Sequence, residues 1–403
     1  DGVLLVLGAM LCHKDDARVQ ANACSALCEL MLASDAAMRH IVSAGGIALV
    51  LQSMQSHQNS EGCVTEACLA LEGFALADDK NVRTILGNDK RNVQVIDVSE
   101  EEVETDEEAE VASGGDAPVV AQILAAMATH SLCAPLLAAA CRSLLALSPG
   151  FAAQPLGPRG GMANTLLPAV LGALSRHQSH AGIHQYGCLL LSELGREAPW
   201  RERLLAEPDC ASTMVASLKT HQGAHNLEAV MKALRRVIPL ISHGGEESVK
   251  TEVVELTFRA MRLRGESRVL QAAACSNIWQ LIEEEVEHYE EPTESSAARQ
   301  RARLLELAAD NSDTVLAAVR AHNDSPPVLE NGFRILGLLA EEMEHVRAEL
   351  GADGVVSVVL GAILEYQSKH RGIPMGTLLS ACECLGALGK RTSANQRALL
   401  EEG

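Results

Sequence analysis

Twelve cysteines and fourteen histidines are the side chains in this 403-residue sequence best suited to chemistry. Thiolates and imidazoles could hold zinc, thiols could pair as disulfides, and a row of imidazoles could sense pH. The spacing argues against each. No C-x-x-C pair exists; Cys24 and Cys28 share a helix face, but no histidine follows at zinc-ligand spacing. Cys24, Cys68, Cys141, Cys188, Cys275 and Cys382 instead recur in one sequence context, each directly after a small residue and ahead of an apolar run. That slot suits a small apolar side chain facing a neighbouring helix, so we expect reduced, structural thiols in a reducing compartment.

Other catalytic signatures are missing. Gly389-Lys390 is followed by Arg391, with no glycine ahead at phosphate-loop spacing. There is no H-E-x-x-H, G-x-S-x-G or calcium-loop pattern. Asp15 and Asp16 follow His13 in what reads as a solvated turn, and no carboxylate pair lies in an apolar setting that would raise a pKa. We therefore expect no catalytic residues, no cofactor and no metal.

The elements that carry these residues repeat. A small residue opening an apolar helix, here termed the anchor, stands at Ala23, Ala67, Ala140, Gly187, Val230, Ala274, Gly332 and Ala381. The intervals are 44, 73, 47, 43, 44, 58 and 49 residues. The two long ones are one period plus insertions of about 29 and about 14 residues. His13, His57, His130, His177 and His322 each lie ten residues before their anchors, His221 nine before and His370 eleven before; Arg264-Gly265 stands in this place in the remaining copy. Adjacent repeats stack about 10 Å apart, too far for two such imidazoles to share a zinc with bonds of about 2.0 Å. Each histidine is expected at a helix C-terminus, donating to free carbonyls. The close pairs His177 with His180 and His221 with His225 are the only local metal candidates. Glycine corners at Gly45-Gly46, Gly114-Gly115, Gly160-Gly161 and Gly354 precede the apolar helices, and short Arg-bearing helices precede the corners, as at Arg39–Val42, Arg83–Leu86, Arg203–Leu205 and Arg397–Leu400.

A unit of short helix, glycine corner, apolar helix, histidine turn and long helix resembles the armadillo repeat, most closely over Met38 to Asp78. The resemblance implies an all-α fold, a right-handed α-solenoid of armadillo-like repeats, with a HEAT-like two-helix alternative from about Trp200 to Glu344. It also implies a groove, lined by the long helices, that takes up extended peptides. The expected division is a single array over 1–403: 1–37 partial, 38–80, 81–152 carrying an acidic insertion at 90–113, 153–199, 200–245, 246–297, 298–344, 345–394, and 395–403 as the start of a further repeat. Both ends cut a repeat, so a piece of a longer chain is expected.

The composition narrows the function. The chain is 47% hydrophobic, enough for a large core, but has only nine aromatic residues and a net charge of -20. Nucleic-acid phosphates require a basic face, and single-strand binders require aromatic platforms, so neither partner is expected. Membrane insertion is not expected either: the most apolar stretch, Pro118 to Phe151, is interrupted by His130, Pro135 and Arg142 and reads as two buried helices and a turn. Ser99 to Glu110 holds eight acids in twelve residues and reads as a loop that repels itself, as does the second acidic insertion near Glu283 to Arg303.

Armadillo import adaptors resemble one another in carrying Trp and Asn two and six residues after the anchor. Here those slots hold Ser25, Leu69, Arg142, Leu189, Lys232, Ser276, Arg334 and Glu383, then Glu29, Gly73, Ala146, Glu193, Arg236, Gln280, Leu338 and Ala387. The absent Trp and Asn disfavour a nuclear transport adaptor. A groove formed by Leu69, Arg142, Leu189, Lys232, Arg236, Gln280, Arg334 and Glu383 is expected, basic at its middle and suited to an acidic or mixed partner segment. The expected function is a non-catalytic scaffold or adaptor binding other proteins, in the cytoplasm or in a cytoskeletal or ciliary assembly. A regulatory repeat domain attached to an enzyme remains the alternative.

Overall fold

The computed structural model describes residues 2–87, 118–151, 161–244, 247–283, 296–370, 372–390 and 392–402. These residues are 83% helix, in twenty-two helices with no strand among them. The chain divides into two compact units, Asp1–Thr213 and Met214–Gly403. That boundary falls within 200–245, a span the repeat register treats as one copy. Both acidic runs, Ser99 to Glu110 and most of 283–303, lie outside the described residues.

The first unit runs α1 (Gly2–Cys12), α2 (Ala17–Ala33), α3 (Asp35–Ser43), α4 (Gly46–Ser56), α5 (Glu61–Ala77), α6 (Asp79–Ile85), α7 (Pro118–Thr129), α8 (Ala134–Phe151), α9 (Ala163–Arg176), α10 (Ala181–Leu194) and α11 (Ala198–Leu205). Next, α12 (Cys210–Thr220) crosses the boundary. The second unit continues with α13 (Leu227–Gly244), α14 (Glu247–Leu263), α15 (Arg268–Glu283), α16 (Ser296–Ala309), α17 (Ser312–Ala321), α18 (Pro326–Glu342), α19 (Glu344–Ala352), α20 (Val355–Lys369), α21 (Met375–Gly389) and α22 (Ser393–Glu402). The apolar stretch 118–151 forms α7 and α8 joined by the turn at His130. Of all the described helices, α8 is the one long and apolar enough to cross a membrane, and 56% of it is buried inside the chain.

The anchors lie on α2, α5, α8, α10, α13, α15, α18 and α21. Within the first unit α2, α5, α8 and α10 pack in succession; within the second, α13, α15, α18 and α21 do so. A second layer follows the same order, α1 to α4 to α7 to α9 in one unit and α14 to α17 to α20 in the other. Sequence explains the layering. Positions three before, one after and four after the anchor form one stripe of a 3.6-residue helix. On α5 these are Val64, Cys68 and Leu71, and on α18 Leu329, Phe333 and Leu336, all fully buried. No helix can cover that stripe itself, so the next long helix must.

Corners and short helices are fixed by specific groups. Gly45 and Gly354 precede α4 and α20 with φ of 81° and 72°, the left-handed region that glycine enters without steric cost. The polar side chain of the short helix then reaches back seven residues to a carbonyl at the end of the long helix before it. Asn81 donates to Phe74 O at 2.9 Å, Arg347 to Ala340 O at 2.6 Å, and Asn395 to Leu388 O at 2.8 Å. On α11, Trp200 is buried instead, its ring centroid 5.9 Å from that of Phe151.

The recurring histidines tie neighbouring turns together. His57 Nε2 donates to Lys14 O (2.8 Å), His130 to Gln58 O (2.7 Å), His177 to Ser131 O (2.9 Å) and His322 to Gly265 O (2.8 Å). In each case the acceptor is the residue directly after the histidine, or its Arg264 counterpart, of the preceding repeat. For these four histidines the expected donation to a carbonyl at a helix C-terminus is seen, but the carbonyl belongs to the neighbouring repeat. Arg264 makes a longer bond to Ala224 O, 3.4 Å. His370 departs from the pattern: its backbone is extended and its ring lies 4.3 Å from Tyr366, while Asn323 donates to Glu365. At His13, His57, His130, His177, Arg264 and His322 the residue's own carbonyl accepts from the residue three on, as in Ser60 N to His57 O at 2.9 Å, and the long helix starts directly after that donor. Replacing His177 by Ala removes one bond and strands a part-buried acceptor, so stability should fall by about 1 kcal/mol. A urea midpoint indistinguishable from the parent would show that the bond adds nothing.

Candidate functional site

The residues proposed from sequence fall on the long helices, and two of them join side chains across successive helices. Arg142 on α8 pairs with Glu72 on α5, Nε to Oε1 at 3.0 Å and Nη2 to Oε2 at 2.8 Å, a two-pronged contact. The same guanidinium lies 5.1 Å from the ring centroid of Tyr186 on α10. In the second unit Arg334 on α18 pairs with Glu330 one turn earlier at 2.8 Å and lies 5.7 Å from the ring of Trp279 on α15. Both contacts are within the range of cation–π attraction. Glu72 and Trp279 each stand five residues after their anchors, and Arg142 and Arg334 each stand two after theirs. One register rule therefore builds both clusters.

This corrects the expectation of a basic groove. Arg142 and Arg334 are half-buried and already neutralised by Glu72 and Glu330. Lys232 is exposed, and Arg236 is half-buried one turn further along α13. Leu69, Leu189 and Gln280 are half-buried on α5, α10 and α15, and Glu383 is exposed on α21. Gln280 carries a buried Oε1 without a hydrogen-bond partner. Two of the slots compared with import adaptors are closed: Ser276 and Ala387 are buried. Sequence reasoning missed Glu72, Tyr186, Glu330 and Trp279. The signal was present in Tyr186 and Trp279, two of the few aromatic residues in the chain, both beside an anchor register.

The cysteines form buried contacts rather than a reactive centre. Cys24, Cys68, Cys141, Cys188 and Cys275 are fully buried. Burial pushes the Cys68, Cys141 and Cys275 thiols up to about 12, and raises Cys24 and Cys188 as well. The Cys68 thiol meets the hydroxyl of Ser143 on the next long helix. Cys382 departs from the expectation of a buried slot. It is exposed because no further long helix packs on α21 among the described residues, and Cys384 is buried in its place. Among the described residues no group of three His, Cys, Asp or Glu side chains is placed to hold a metal. Of the local pairs considered from sequence, His177 with His180 is otherwise engaged: His177 Nε2 donates to Ser131 O at 2.9 Å, and His180 Nδ1 accepts from Ile183 N at 3.3 Å and caps α10. A shallow depression lined by Cys12, His13, Asp15 and Asp16 opens at the first turn. There the N–H groups of Val19 and Arg18 hold the Asp16 carboxyl below its usual range.

No family model matches this chain, and no curated protein matches it.

A thiol with pKa about 12 is ionised to roughly one part in ten thousand at pH 8. In native protein at that pH, a chromogenic disulfide reagent should label Cys12 and Cys382 first. Cys24, Cys68, Cys141, Cys188 and Cys275 should react only after urea unfolding. Equal rates for Cys382 and Cys141 would contradict the packing described.

Proposed function

We propose that this chain is a non-catalytic protein-interaction scaffold built as a right-handed armadillo-like solenoid, HEAT-like in its middle. In this reading the long helices of each unit present a surface for extended segments of partner proteins. One observation carries the reading. On α5, α8 and α10 of the first unit the residue two after the anchor (Leu69, Arg142, Leu189) is half-buried while its neighbours one and three after are fully covered. In the second unit Lys232 and Glu383 are exposed and Arg334 is half-buried at this position, but Ser276 on α15 is buried and interrupts the row, and Cys382 beside Glu383 is exposed too.

Long helices packed about 10 Å apart, met by a peptide rising about 3.3 Å per residue, put every third partner residue over a new helix. Leu69 and Leu189 offer apolar contacts. The Arg142 and Arg334 clusters offer rigid, ion-paired planes against which aromatic or aliphatic side chains can lie. The partner segment is accordingly mixed and apolar at these positions, with an acid favoured only beside Lys232 and Arg236. Twelve free cysteines suit a reducing compartment, the cytoplasm or a cytoskeletal or ciliary assembly.

The test is selection of binders from a displayed random peptide library. Selected peptides should lose at least about tenfold in affinity for Leu69→Asp/Leu189→Asp, a loss of about 1.4 kcal/mol or more. Binding to Leu132→Asp, which alters an exposed turn, should be unchanged. Peptides that bind both variants equally would remove the long-helix face as the site.

A further inference from the structure

Many cations of the second unit hold a carboxylate. Lys219 pairs with Glu252, Arg268 with Asp324, Arg301 with Glu342 and Arg334 with Glu330. Helix α13 departs from this. Lys232 and Arg235 are both exposed, and no ion pair or hydrogen bond joins either of them to another described residue. Arg235 and Arg236 follow Lys232 by three and four residues, the spacings that put side chains on one helix face with Cβ atoms about 5–6 Å apart. The sequence holds 53 acidic side chains against 33 Lys and Arg, so unanswered cations side by side run against its composition.

The acids within reach are placed elsewhere. Glu228, one turn before Lys232, accepts from the Ser267 hydroxyl directly ahead of α15. Across the seam, the register that joins Glu72 to Arg142 and Trp279 to Arg334 sets the position five after one anchor against the position two after the next. For Arg235 that opposite position is Ser276, which is buried and uncharged. Glu283 lies two turns beyond Ser276, at the end of α15. The α13–α15 seam therefore carries a guanidinium where the α5–α8 and α15–α18 seams carry a completed cluster. Trp279 occupies on α15 the position that Arg235 occupies on α13, and its indole is half-buried.

We infer that Lys232 and Arg235 receive a phosphorylated serine or threonine of a partner segment, and that an apolar residue three positions away in the segment lies on Trp279. Charge complementarity selects the occupant. A phosphorylated side chain carries a charge of about -1.5 to -2 and three strong acceptor oxygens, so it answers both cations at once, whereas a carboxylate answers one. The Arg235 fork suits two of those oxygens, and the Lys232 ammonium supplies a point charge to the third. Helices about 10 Å apart are bridged by three residues of extended chain at about 3.3 Å each, which sets the offset to Trp279. The inference rests on the reading of the long helices as a peptide-binding face and names the chemistry of one position on it.

Three pools of synthetic peptides, degenerate except for a central serine, phosphoserine or glutamate, test it when titrated with the full chain. The phosphoserine pool should bind at least about tenfold more tightly than the serine pool and more tightly than the glutamate pool. Sequencing of the retained phosphopeptides should show apolar residues enriched three positions from the phosphoserine. Lys232→Ala/Arg235→Ala should bring the phosphoserine pool down to the level of the serine pool, with helix content unchanged by circular dichroism. Arg299→Ala/Arg303→Ala, which removes two exposed cations of α16, should keep the preference. Trp279→Ala should keep it too but lose the apolar enrichment. Equal binding of the serine and phosphoserine pools overturns this inference and leaves the peptide-binding reading standing. Equal binding of the glutamate and phosphoserine pools does the same, because a single carboxylate then suffices. A phosphoserine preference that survives Lys232→Ala/Arg235→Ala places the phosphate elsewhere and overturns the assignment. Absence of binding in all three pools overturns both readings together. Capture of phosphatidylserine vesicles through the same two cations, without preference among the pools, would assign them to a membrane surface instead.

Discussion

A helix with an apolar stripe as wide as those on α5 and α18 is stable in water only when another helix lies on it. Within each unit the covering helix is the next copy of the same element, and the remaining structure of the unit follows from that dependence. Small residues at the anchor and just after it bring the helix backbones close. The positions flanking the contact are left for polar groups. Aliphatic, alanine and cysteine side chains fill the seam, which is how a chain with so few aromatic residues builds the core of each unit.

Burying the seam leaves a problem at its edge, where each second-layer helix ends and exposes carbonyls. The histidines solve it between repeats rather than within them: one ring nitrogen satisfies an acceptor on the previous turn, and the imidazole stays at the junction. Arg264 shows that the donor is what the position requires, since a guanidinium on a longer stem reaches Ala224 O from the equivalent place. The carboxylate partners of Arg142 and Arg334 answer the same requirement on the other edge. There an unpaired cation, half out of water, would be costly.

The spacing of the anchors and histidines was legible in the sequence because both recur at a fixed offset, and the helices lie where that register places them. What each side chain touches was not legible. His130 and Gln58 are separated by 72 residues, and Arg142 and Glu72 by 70, so no local pattern joins them. Cys382 shares the sequence context of Cys68, yet exposure depends on whether a neighbouring helix is present, which context does not encode. The division near Thr213 was equally invisible, because residues 200–245 carry an anchor and a histidine like the others.

The turn between each histidine and the long helix has a further consequence. From His13 to Asp16, His57 to Ser60, His130 to Cys133, His177 to His180, His221 to Ala224, Arg264 to Ser267 and His322 to Ser325, the distance is always three residues, closed by the same backbone bond. A single inserted residue there would part the carbonyl from its donor and rotate the long helix by about 100°. The junction after a short helix carries no such count. Asn81 secures α6 to the helix behind it, and beyond that point doubling the connecting length costs only about 0.6 kcal/mol. The sequence thus gains tens of residues at one kind of corner, whereas at the other it departs by single residues, at His221 and His370. The long acidic segment between α6 and α7 sits at a corner of the permissive kind.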